Sequence, residues 1–131
     1  MFKKVNDFFS KFKGESLNLY DKAKEFIKET KIKWDNLYQT NMETGMEHFK
    51  SGHLYDARFR FWFIQKFLSK ESEPLYYYGY CLILSNEIEK GKFVLEKIFS
   101  QYPMAENLLK RVNNDETKNI IEEYNSVFGN K

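Results

Sequence analysis

Residues 38–71 and 72–105 align without a gap at an offset of 34, and no other feature constrains the fold as strongly. Gly45 falls on Gly79, Leu54 on Ile88, Ala57 on Gly91, Phe61 on Leu95 and Ile64 on Ile98. Apolar residues recur at helical spacing and no sustained period-two alternation occurs, so each copy is expected to be helix, short turn, helix. Gly52-His53 makes the first turn and Ser85-Asn86 the second. Small residues at Gly45/Gly79 and Ala57/Gly91 mark where the two helices of a hairpin approach closely. A larger side chain there would push the axes apart. The expected fold class is all-α, with antiparallel helix hairpins stacked on one another.

These residues resemble the tetratricopeptide repeat. The family pattern has a small residue in the first helix, an alanine twelve positions later, an aromatic four beyond that and a proline eight further on. Gly45, Gly52, Ala57 and Phe61 match in the first copy; Gly79, Gly91, Leu95 and Pro103 match in the second. Asn41 and Leu75 stand where the family has its opening Trp, Ser69 replaces Pro, and Gly91 replaces Ala. The resemblance covers about half the chain and implies a short right-handed superhelix. It also implies a concave groove, lined by the first helix of each repeat, that holds partner peptides. Carried over by position, Met42, Met46, Phe49 and Lys50 would line that groove with Tyr76, Tyr80 and Ile83. Methionine adapts its shape and tyrosine offers area plus a hydroxyl, which suits an apolar or amphipathic ligand. Met42 and Met46 occupy the positions from which some members clamp a C-terminal carboxylate, so that mode of recognition is not expected.

With 131 residues, a single domain over 1–131 is expected. Residues 1–37 would supply N-terminal helices, 38–71 and 72–105 the two repeats, and 106–131 capping helices. Two repeats leave apolar faces open at the ends of a stack, and the flanks supply covers. Met104, Leu108, Leu109 and Val112 form one helical stripe. Asp115 is expected to open a further helix carrying Ile120, Ile121, Tyr124, Val127 and Phe128. Upstream, one helix is expected from Phe2 to Lys13, ended by Gly14, and another from Ser16 to about Asn36.

Chemistry is sparse. Six glycines and two prolines are too few for a Gly-rich phosphate-binding enzyme, and no nucleophile elbow, P-loop or zinc spacing occurs. Cys81 is the single cysteine, read as a buried thiol among Tyr80, Leu82 and Ile83. His48 and His53 are five apart across a helix–turn boundary, which is not the spacing of a helical metal pair. His48 is read as a packed core residue, and neither cofactor nor metal is expected. The 21 basic and 19 acidic side chains give +2, far from a nucleic-acid binder, so no nucleic-acid partner is expected. Asp7 and Lys11 interrupt any secretory apolar run, and no transmembrane stretch is present. The expected protein is cytoplasmic, non-catalytic and engaged with a protein or peptide partner.

Two dozen aromatic rings against three alanines are unusual for a helical chain. Leu54, Ala57, Phe61, Ile64 and Leu68 already supply the packing stripe of one helix. Phe59, Trp62, Phe63 and Phe67 add a second apolar face, where the next copy has Glu96 and Lys97 in place of Trp62 and Phe63. On a helical wheel Phe2, Val5, Phe8, Phe9 and Phe12 cluster, with Lys3, Lys4, Lys11 and Lys13 outside the cluster. Three destinations for this stripe are open: the chain's own aromatic face, a second copy in a homo-oligomer, or weak contact with an anionic membrane surface. The last two would make a peripheral membrane or self-assembling structural protein, the alternative to a groove-binding adaptor.

Overall fold

From Glu15 to Thr44 the chain has neither glycine nor proline, and nothing in that stretch stops a helix. The computed structural model describes residues 18–129 and has one helix, α1, over Asn18–Lys50. The boundary expected near Asn36 is therefore absent: Trp34, Asp35, Asn36 and Leu37 all continue the helix. The N-terminal helix expected over 2–13, with Phe2, Val5, Phe8, Phe9 and Phe12, lies outside the described residues.

The protein is all-α, with six α-helices and no strand among the described residues. After α1 come α2 (Leu54–Phe63), α3 (Ser72–Leu84), α4 (Ile88–Glu96), α5 (Pro103–Asn113) and α6 (Thr117–Tyr124). Wider π-helical turns over Ile64–Leu68 and Asn125–Gly129 extend α2 and α6. The chain divides into two compact units, Met1–Leu37 and Tyr38–Lys131. In the first unit Phe26 and Trp34 are half-buried while Ile27, Ile32 and Leu37 are exposed. The Thr30 hydroxyl there donates to the Phe26 carbonyl at 2.8 Å, a local bond that satisfies a polar group within one helical turn.

In the second unit three hairpins share one turn geometry. Gly52 (φ 82°), Asn86 (φ 65°) and Asp115 (φ 59°) take the left-handed conformation. Each donates its N–H to the carbonyl three residues back, on Phe49, Ile83 and Val112. The following residue, His53, Glu87 or Glu116, donates to the carbonyl five back, on His48, Leu82 and Arg111, at 2.9–3.0 Å. This paired pattern closes a helix C-terminus by satisfying carbonyls that would otherwise lack partners. His53, Glu87 and Glu116 also accept the first backbone bond of the next helix, from Ala57, Gly91 and Ile120. One residue thus ends one helix and starts another, which leaves no slack in the turn. Asp115 sits in the turn itself, and α6 opens two residues later than the sequence suggests.

The core follows the small positions. A Cβ on Gly45 would meet the Phe61 ring at 2.9 Å, and one on Gly79 would meet Leu95 at 3.1 Å. Both neighbours are fully buried. In the third hairpin Leu108 and Ile120 take the register of Gly79 and Gly91, so large side chains replace the close approach. Helix α3 lies at the centre, packed against α2, α4, α5 and α6.

Candidate functional site

The C-terminal turns of α1 and the start of α3 border a cleft of about 550 Å³. Met42 and Met46 supply its apolar side chains, and Glu43, Glu47, Glu73 and Lys50 its charges. Helical spacing places Met42, Met46 and Lys50 on one face of α1, at i, i+4 and i+8. Met42 is buried, Met46 half-buried and Lys50 exposed, so the cleft grades from an apolar floor to a mainly acidic rim. Tyr38 also borders it and donates to a Glu71 carboxylate oxygen at 2.9 Å, while burial and that acid push its ionisation upward.

The remaining residues expected to line the groove lie elsewhere. Ile83 is fully buried in the core, and Phe49 is buried beneath the C-terminal hairpin. The Phe49 ring meets those of Tyr77, Tyr80, Tyr124 and Phe128 at 5.0–5.8 Å. The Tyr124 hydroxyl donates to the Phe49 carbonyl at 2.6 Å. With Tyr124 and Phe128 seated on Phe49, and Ile83 enclosed beside Gly91 of α4, neither Phe49 nor Ile83 presents a surface to a ligand. Tyr76 is likewise buried, whereas Tyr80 is half-buried. Tyr76 and Tyr80 border a second, smaller cleft of about 190 Å³ with Met104, Asn107 and Arg111. Arg111 is held there by two hydrogen bonds to Glu123, at 2.7 and 2.9 Å.

The aromatic face of α2 is present. Phe59 is 56% and Phe67 53% exposed, with Trp62 and Phe63 half-buried between them. Ring contacts run from Phe59 to Trp62 (6.0 Å), Trp62 to Phe67 (5.8 Å) and Phe63 to Phe67 (5.4 Å). Tyr55, Arg58 and Tyr78 join Phe59 and Trp62 around a recess of about 240 Å³. Arg58 forms an ion pair with Glu87, which ties α2 to the second turn.

Two features escaped the sequence reading. Asn41, at the position of the family's opening Trp, is buried and accepts a hydrogen bond from Arg60 at 2.8 Å. An amide at an otherwise apolar position, opposite an arginine, was the available signal. The turn also folds His53 back onto His48: their ring centroids are 5.9 Å apart, and a ligating atom from each lies within 4.8 Å of one from Asp56. Counting along a helix hides this, because the chain reverses between the two histidines. Cys81 is fully buried, and burial pushes its thiol up to about 12. Among the described residues no helix is long and apolar enough to cross a membrane. No family model, no curated protein and no solved structure matches this chain.

Proposed function

We propose that the chain is a non-catalytic, tetratricopeptide-like interaction module that binds a segment of a partner protein in the cleft beside α1. Its hairpins would stack as a short right-handed superhelix of the kind that family builds. The observation that carries the reading is the cleft itself: methionines at its floor and Glu43, Glu47 and Glu73 at its rim. Flexible thioethers accommodate apolar side chains of differing shape, and an acidic rim favours lysine or arginine beside them. The fitting partner is therefore an amphipathic segment with basic flanks, met in the cytoplasm. Met46→Asp and Glu73→Lys change the cleft outside the fully buried core. Both should abolish capture of the partner by the full chain while melting within a few degrees of the wild type. Undiminished capture by both variants would remove the cleft from the binding site.

A second reading rests on the exposed rings of Phe59 and Phe67. A soluble monomer rarely leaves such a patch without use, and a homo-oligomer or a membrane surface would cover it. Vesicle flotation and sedimentation of the full chain and its Phe59→Ser/Phe67→Ser variant distinguish the two readings. If the aromatic face is the contact, the variant stays monomeric and unbound; if it is not, the two proteins behave alike.

A further inference from the structure

We propose that His48, His53 and Asp56 bind a divalent transition-metal ion of the zinc class at the first hairpin turn. These are the only two histidines of the chain, and the fold brings both to one turn. One ligand atom from each of the three side chains lies within 4.8 Å of the others. Zinc–nitrogen and zinc–oxygen bonds of about 2.0–2.2 Å require donors roughly 3.5 Å apart in a tetrahedral site. His53 and Asp56 are exposed, so small side-chain rotations close that difference without moving the backbone.

The backbone beneath the site is fixed. The His53 N–H donates to the His48 carbonyl at 2.9 Å, and Gly52 holds the left-handed conformation between them. A Cβ on Gly52 would come within 2.9 Å of the Phe128 carbonyl oxygen, so the turn is also held from the C-terminal side. His53 precedes α2 as its capping residue, yet its side chain makes no capping hydrogen bond.

The other two hairpins provide an internal comparison. The positions of His48, His53 and Asp56 are Leu82, Glu87 and Lys90 in the second hairpin, and Arg111, Glu116 and Asn119 in the third. There the turn glutamate has side-chain cations beside it: Glu87 pairs with Arg58 of the first hairpin and lies 3.4 Å from Lys90, and Glu116 lies 3.4 Å from Arg111, whose shorter bonds go to Glu123. The first hairpin has two imidazoles and a carboxylate at these positions and no lysine or arginine. A metal ion would occupy the place that a side-chain cation takes in the other two. Two imidazole nitrogens and one carboxylate oxygen suit zinc, cobalt, nickel or copper(II), whereas calcium and magnesium favour all-oxygen sites. Three protein donors leave further positions to water, and the ion would clip the end of α1 to the start of α2.

The test uses the untagged full-length chain, stripped with a chelator and titrated with zinc and with cobalt. One equivalent should bind, cobalt should give a visible absorption band, and a hundredfold excess over the dissociation constant should raise the melting temperature by about 5 °C or more. His53→Ala and Asp56→Asn, both at exposed positions, should keep the wild-type circular dichroism and weaken zinc binding at least tenfold. Millimolar magnesium or calcium should not displace the ion. Absence of saturable zinc binding, or undiminished binding by His53→Ala, overturns the site.

Discussion

A Cβ added to Gly91 would lie 2.5 Å from the end of Ile83, 2.8 Å from its Cγ1 and 3.0 Å from the Gly79 carbonyl oxygen. Ile83 is fully buried and cannot swing away, so α4 would have to separate from α3. Overpacking of this kind costs about 1–3 kcal/mol, and alanine recovers about 1 kcal/mol of helix propensity. Gly91→Ala should therefore destabilise by up to about 2 kcal/mol in denaturant unfolding. Gly79→Ala, whose Cβ meets Leu95 and Val94 at 3.1–3.3 Å, should cost less. At Tyr124, burial pushes the phenol from 10.0 to about 12, and Cys81 is raised to about 12 by the same cause. Both groups are held neutral when folded, so the stability they contribute is complete below their unfolded values and is lost as pH rises through the folded ones. Thermal stability should be flat towards pH 9 and fall between pH 9 and 12. Tyr124→Phe should flatten part of that fall and cost about 1 kcal/mol at neutral pH through loss of the bond to Phe49. Cys81 should resist a thiol reagent until the chain unfolds. Its burial was legible in its apolar neighbours; the hydrogen bond from Tyr124 to Phe49, 75 residues away, was not.

The departures from the repeat pattern have local causes. Ser69 holds the register that Pro103 occupies in the next copy, and proline fails there for two reasons. The Ser69 N–H closes the π-helical turn on Ile64 at 2.9 Å, and its φ of −157° lies far outside the range of a proline ring. Pro103, by contrast, heads α5, where the N–H has no partner to lose. Ser69→Pro should lower stability by about 2–3 kcal/mol, read as a drop of several degrees in melting temperature. Helix lengths were less legible than the turns. Gly52, Asn86 and Asp115 all adopt the left-handed conformation, and each is a residue type that tolerates it, which is why the turns were readable where the helix ends were not. The uninterrupted α1 was readable in principle, since no breaker separates Trp34 from Tyr38.

At the scale of the whole molecule, the C-terminal hairpin decides which part of the expected groove is surface. Its helix α6 seats Tyr124 and Phe128 on Phe49, leaving the cleft around Met42 and Met46 and the smaller one beside Tyr80. A cross-linker placed at Met46 should therefore react with a bound partner segment, whereas one at Ile83 should react only within the chain. Equal yields at the two sites would contradict that division. Periodicity and the 34-residue offset by themselves determined the helical class, the hairpin turns and the small positions at which helices meet. These depend on residues close in sequence, and backbone hydrogen bonding imposes its spacing wherever such residues recur. Which groove residues are buried, that Asn41 faces Arg60, and that His48, His53 and Asp56 converge were decided by the tertiary structure. Burial and convergence arise from segments distant in sequence or from a reversal of the chain, and a linear pattern does not record what a later hairpin will cover.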